Sequence, residues 1–246
     1  MQKEAPSTER IFSEQMVRRA HQRGSMENEW LQARFSFSFA DYQDPNHMHW
    51  GSLRAHNEDW VAPAGRFARH GHRDIETLTY PLQGRIHHID SLGNDFVFGR
   101  GEILRMSAGT GLEHSEMNAS RTEPERHLQI WLYPRSRGVA PGCALTRIDE
   151  KDTLGRWCPI ASPDGREGSA AIHQNATIFA SRPAAEGRLA YQLAQHRLGY
   201  LQVVSGAVHV DPGLHLRVGD GLRFTHREHL ELVAASADAE VLLFDL

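Results

Sequence analysis

RHGHRDIETLTYPLQGRIHHIDSLGNDFVFGRGEILRMSAGTGLEHSEMN, residues 69–118, is the stretch that decides the fold of this chain. Four short segments rich in β-branched and aromatic residues, ETLTYPL, RIHHID, DFVFG and EILRMSA, follow one another closely with glycines between them. Ser91-Leu92-Gly93-Asn94-Asp95 has the composition of a hairpin turn. Many short strands with regular turn signals describe a sandwich or barrel, not a parallel α/β sheet.

The same stretch carries the chemistry. His70 and His72 are two apart, so on a strand they point to one face, and His114 and Glu116 share a face in the same way. If the two strands are neighbours, three imidazoles and a carboxylate converge. That nitrogen and oxygen set suits one divalent transition metal and leaves coordination positions open. Spacing alone is not the argument, because with 16 histidines in 246 residues about one His-x-His pair arises by chance. Two occur. His70/His72 has a matching motif across a glycine-punctuated hairpin, whereas His47/His49 has none and is read as structural. Glu76 shares the parity of His70 and His72 if the strand stays regular, as a ligand or a hydrogen-bond partner behind the ligands. With Glu116 available, the second role is expected.

Outward from this stretch, residues 1–25 are polar and are expected to form an extension with a short helix, IFSEQMVRRAHQR. Phe35, Phe37 and Phe39 alternate with serines, predicting one buried aromatic strand face. HLQIWLY adds a strand; residues 134–171, with Pro134, Pro141, Pro159 and Pro163, read as a connection that can hold short strands. Strands then resume as GYLQVV, AVHV, HLRV, GLRFT, LELVA and EVLLFDL. Gly84-Arg-Ile-His87 is echoed by Gly206-Ala-Val-His209, and Gly101-Glu102 by Gly219-Asp220, a faint internal repeat at nearly one offset. The expected division is an extension over 1–25, a metal-bearing barrel over 26–140, and a linker with a metal-free barrel over 141–246. His209, His215, His226 and His229 form no metal-type pair and are expected at the surface or in packing.

Composition sets the outer bounds. The chain is 40% hydrophobic and 24% charged with a net charge of −4, enough apolar residues for a sizeable core and no broad basic footprint for direct nucleic-acid binding. Two cysteines, Cys143 and Cys158, make no disulfide framework and fit a reducing compartment. MQKEAPSTER has no apolar signal core and no stretch approaches the ~20 apolar residues of a membrane helix, so a cytoplasmic location is expected.

RHGHRDIETLTYPLQG, HHIDSLGND and SAGTGLEHSEMN together resemble the pirin signature of the cupin superfamily. RRAHQRG, WLQARFSFSFADYQDP and the ending EVLLFDL extend the likeness to bacterial pirin-like proteins, including quercetin dioxygenases, over residues 17–246. Three departures occur: Gly71 stands where proline is usual, Asp74 where many members carry glycine, and Met106 where others carry tryptophan. The resemblance implies an all-β bicupin of two antiparallel jelly-roll barrels with metal in the N-terminal barrel only. It implies His70, His72, His114 and Glu116 as the ligands, with Fe(II) the expected metal and Mn, Co, Ni, Cu or Zn able to take such ligands. It places Glu76 outside the ligand set. Met106 is a candidate pocket residue, with core packing the equal alternative. The implied activity is cleavage of a flavonol such as quercetin by O2 with release of CO, Glu116 being both ligand and base for the substrate hydroxyl. The alternative is an iron-binding, redox-sensing regulatory protein acting through protein partners, since eukaryotic pirin is described as a transcriptional cofactor.

Overall fold

A computed structural model describes residues 12–210 and 213–246. In the first part of the chain the strands are β1 (Val17–Arg18), β2 (Gly24–Glu27), β3 (Leu31–Phe35), β4 (Leu53–Val61), β5 (Arg66–His72) and β6 (Glu76–Gln83). They continue with β7 (Arg85–Asp90), β8 (Asp95–Gly99), β9 (Glu102–Ser107), β10 (Leu112–Asn118), β11 (Glu125–Leu132) and β12 (Gly142–Arg147). The later strands are β13 (Cys158–Ser162), β14 (Ala170–Ala171), β15 (Thr177–Ser181), β16 (Arg188–Gln192) and β17 (Leu198–Ser205). β18 (Ala207–Val210), β19 (Leu214–Arg217), β20 (Gly221–Thr225), β21 (His229–Ala234) and β22 (Glu240–Asp245) complete them.

Each half is a seven-stranded sheet facing a four-stranded one. The first half pairs β12-β9-β6-β11-β4-β3-β2 with β5-β10-β7-β8; the second pairs β1-β20-β17-β22-β15-β13-β14 with β16-β21-β18-β19. Apart from β13–β14 all pairings are antiparallel, and the order of the small sheets is the same in both halves. This is the two-barrel, all-β architecture expected. The repeated glycines mark equivalent turns: Gly84 and Gly206 both have positive φ, 73° and 64°, and a Cβ at either would run into neighbouring atoms.

One edge strand crosses between the halves. β12 follows β11 and pairs with β9 of the same barrel, whereas β1, which precedes the first barrel, pairs with β20 of the second. The helix expected over 11–23 is instead two single 3₁₀ turns, Glu14–Met16 and Ala20–Gln22, flanking β1; residue 11 lies outside the described residues. The helical tendency loses to sheet pairing and to Asp220, which accepts hydrogen bonds from the Arg19 guanidinium at 2.7 Å and the Ala20 amide at 2.8 Å.

The two large sheets pack against each other. Leu53, Leu78, Leu128 and Ile130 of the first half meet Ile160, Ile178, Leu242 and Phe244 of the second in one apolar layer. The interior of the second barrel is apolar too, filled by Val208, Val210, Leu216, Leu230, Leu232 and their neighbours. The first barrel differs. Its interior buries Thr77, Thr79, His88, Glu116, His127 and Gln129, so polar chemistry is confined to one of two similar containers. Phe35, Phe37 and Phe39 do not line one face: β3 stops at Phe35, Phe37 packs on Tyr200 in the layer between the halves, and Phe35 and Phe39 turn into the first barrel. Among the described residues no helix is long and apolar enough to cross a membrane.

Candidate metal centre and its cavity

β10 is the central element of the site. It lies between β5 and β7, so side chains from three strands meet on its inner face. His70 stands directly opposite His114, and His88 opposite Glu116. The β5–β10 register slips between His114 and Glu116: two residues of β10 span three of β5, from Phe67 to His70. A bulge of this kind re-aims side chains near a site.

The rings of His70, His72 and His114 lie 4.5–4.9 Å apart, and one donor nitrogen from each falls within 4.8 Å of the others. His70 Nδ1 is 2.8 Å from the Ala68 carbonyl oxygen, which fixes that nitrogen as the N–H donor and leaves Nε2 as the lone pair. His72 and His114 approach Nε2 to Nε2 at 2.9 Å. Burial, reinforced by the charge of His70, holds His72 down to about 4. Burial also brings His114 to about 4, against the opposing pull of Glu116. Neutral imidazoles are what a metal needs.

Glu116 is buried on the other side of the His114 ring. Its Oε1 lies 3.6 Å from His88 Nδ1 and 4.0 Å from His114 Nδ1, so it groups with His88 and His114, not with the three-histidine set. Thr79 Oγ1 donates to its Oε1 at 3.4 Å, and Gln129 Nε2 to its Oε2 at 3.3 Å. Burial pushes this carboxyl up, but the contact with His88 and the charges of His114 and His127 outweigh it and hold Glu116 at about 2. Three imidazoles and an adjacent ionised carboxylate fit one divalent transition metal by their donor chemistry.

His88 was missed in the sequence. It is fully buried, its Nε2 lies 3.5 Å from Asp90 Oδ2 and 3.7 Å from Cys143 Sγ, and its Nδ1 reaches Glu116. Asp90 is fixed in turn by the amides of Leu92 and Asn94. The signal was the alternation Ile86, His88, Asp90, which puts all three on the buried face of β7. Glu76, expected behind the ligands, faces the other way. It accepts from Ser107 Oγ at 2.7 Å and from the His173 amide at 2.8 and 2.9 Å, binding the first barrel to the second half. The parity argument failed because the strand does not continue: β5 ends at His72, Asp74 adopts φ 51°, and β6 starts afresh at Glu76. Met106 is a packing residue, buried with Ile75, Ala108 and Leu112 and absent from the cavity wall. His47 is held by Asp44 and Arg18, as its structural reading requires. His209 and His215 stack on each other across β18 and β19, away from the first barrel.

The histidines open onto a cavity of about 370 Å³, within the range of small-molecule sites. Phe35, Phe39, Phe67 and Trp131 give it aromatic walls, and Trp131 meets His72 edge-on at 4.9 Å. Asn57 and Asp59 supply polar groups from β4.

Fold and site together define a bicupin with a histidine site in its first barrel. The chain belongs to the pirin family: the Pirin family model matches residues 16–132, and that of the quercetinase C-terminal cupin domain matches residues 159–246. A quercetin 2,3-dioxygenase of Escherichia coli K12 is 38% identical over 230 residues, covering 94% of this chain and 97% of that one. A pirin-like protein of Caulobacter vibrioides is 37% identical, covering 90% and 95%. The crystal structure of E. coli YhhW superposes with a TM-score of 0.89 at 38% identity, covering 94% of this chain and 96% of that one. The bacterial pirin YhhW in complex with nickel(II) matches with a TM-score of 0.88 at 37% identity over 94% and 97%.

Proposed function

We propose that this protein is a metal-dependent dioxygenase that opens a flavonol such as quercetin with O2 and releases CO. The observation that carries the proposal is the convergence of His70, His72 and His114 at the wall of an aromatic-lined cavity. The names of its relatives support the same activity. His70, His72, His114 and, once its side chain turns towards them, Glu116 would hold the metal, with Fe(II) the metal first expected and Ni(II) the one found in a related structure. When bound, the metal supplies a Lewis-acid and redox-active centre with positions open to the cavity.

The chain's own residues do the remainder. Phe35, Phe39 and Trp131 hold a flat aromatic substrate and exclude water from it. Glu116, ionised and steadied by Thr79 and Gln129, takes the proton of the substrate hydroxyl at a carboxylate oxygen. The deciding measurement is O2 uptake and CO release with quercetin, on protein loaded separately with Fe, Mn, Co, Ni, Cu or Zn. A His70→Ala/His114→Ala variant is the control. One active metal form and a silent variant are expected. Metal bound at one per chain with no O2 consumed by any form would leave the site and sink the activity. Glu116→Gln is expected to abolish turnover in the active metal form, and wild-type activity in that variant would exclude the base role.

A further inference from the structure

We propose that Asn57 and Asp59 form a hydroxyl-recognition site, selecting substrates that carry phenolic hydroxyls on the ring remote from the metal. This rests on the flavonol reading above and adds to it the part of the substrate that is read.

Asn57 and Asp59 are two apart on β4, so they share the face that lines the cavity. They are 2% and 6% exposed. Asn57 Oδ1 is buried without a hydrogen-bond partner among the described residues. The Asp59 carboxylate faces His127 Nε2 at 3.5 Å, a nitrogen that makes no hydrogen bond among the described residues. A buried acceptor without a donor is costly in a folded protein, at roughly 1–3 kcal/mol, so Asn57 Oδ1 at the cavity wall signals a missing donor. Vicinal phenolic O–H groups on a planar ring are donors of the right shape for two acceptors spaced along a strand.

Register sets Asn57 level with Glu116 and Asp59 beyond it. Trp131, Gln129 and His127 follow one another along the inner face of β11, and the first meets His72, the second Glu116. Asn57 is opposite Gln129, and Asp59 opposite His127. Asp59 therefore lies one strand step beyond Glu116, about 7 Å further along the barrel. A two-ring substrate spans that distance.

His127 and Glu125 position the carboxylate. His127 Nδ1 lies 2.7 Å from Glu125 Oε1, and its other nitrogen faces Asp59, a buried carboxylate–imidazole–carboxylate row. Burial lifts Asp59 to about 7; His127 opposes this, while Glu125, Glu116 and Glu58 add to it. Burial lowers His127, but Glu125 and Asp59 overcome it and hold the imidazole protonated to about 9. The row thus aims His127 Nε2 at Asp59 and fixes the carboxylate's place on the barrel wall.

The test compares quercetin, with two adjacent hydroxyls on its pendant ring, against the flavonol whose pendant ring bears none. Affinity is read by absorbance titration of metal-loaded protein, and kcat/KM by O2 uptake. The wild type is expected to favour quercetin by at least about ten-fold in affinity. Asn57→Leu and Asp59→Asn should each erode that preference, while binding of the unsubstituted flavonol stays unchanged and the circular-dichroism spectrum stays that of the folded protein. Equal affinity for the two flavonols, binding of neither, or variants that weaken both alike would overturn the proposal. Selective binding without O2 uptake would uphold this site and overturn the dioxygenase activity; turnover without selectivity would do the reverse.

Discussion

At the scale of single residues, the departures from the family pattern have local explanations. Asp74 occupies a position where the backbone needs φ 51°, a conformation that favours glycine. Aspartate tolerates this conformation better than most side chains, and its Oδ1 accepts from the Gly138 amide at 2.7 Å. Gly71 has no positive φ, and a Cβ there would make ordinary contacts with Glu113 and Leu112. Gly71→Ala should therefore raise stability by about 0.4–1 kcal/mol by stiffening the unfolded chain. Denaturant midpoints would show it, and a loss would mean that the strand between His70 and His72 needs its freedom. His88 is the residue on which metal affinity should depend without its being a ligand. Its ring separates Glu116 and His114 from Asp90 and Cys143. Replacing it with alanine should weaken metal binding about 10–100-fold, measured by competition with a chelator. Wild-type affinity would reduce His88 to packing.

Among elements, β11 shows how one strand serves two purposes. Leu128, Ile130 and Leu132 enter the layer between the halves, while His127, Gln129 and Trp131 face the polar interior of the first barrel. The two faces are therefore separable by mutation. Ile130→Ala, at a fully buried position, should cost about 2–5 kcal/mol of stability while leaving metal affinity unchanged. Gln129→Leu should do the opposite, freeing the Glu116 oxygen it now holds. Urea unfolding and metal titration on both variants would decide, and loss of both properties in either would refute the separation.

For the molecule as a whole, the contact between the halves is extensive, and a buried histidine within it is expected to make it sensitive to acid. Beyond the apolar layer, β1 reaches across from ahead of the first barrel and closes the edge of the second. His56 lies in this layer, fully buried beside Tyr200 and Phe244 with neither ring nitrogen hydrogen-bonded. Burial, helped by the charge of Arg23, holds it down to about 3 from an ordinary 6.5. Folded, it stays neutral in that window; unfolded, it takes up a proton below 6.5. Stability therefore falls as pH drops from 6.5 towards 3, by up to about 1.4 kcal/mol per unit. His56→Leu should flatten that acid limb in unfolding midpoints measured across the window, and an unchanged slope would assign it to other groups.

The sequence by itself determined the strands and the type of site. RIHHID, DFVFG and GLRFT coincide with β7, β8 and β20 because alternation and turn glycines are local properties of the chain. The two histidine-bearing motifs were legible for the same reason: a period of two fixes which side chains share a face. Tertiary structure decided what period two cannot carry across a break. Asp74 ends one strand and restarts another, which sends Glu76 to His173 instead of the histidines. Likewise, whether β1 pairs forwards or across the molecule depends on partners remote in sequence, so the extension looked helical and became an edge strand. The buried polar row of Asn57, Asp59, His127 and Glu125 was invisible for this reason too: its members are ordinary polar residues until β4 and β11 are placed side by side.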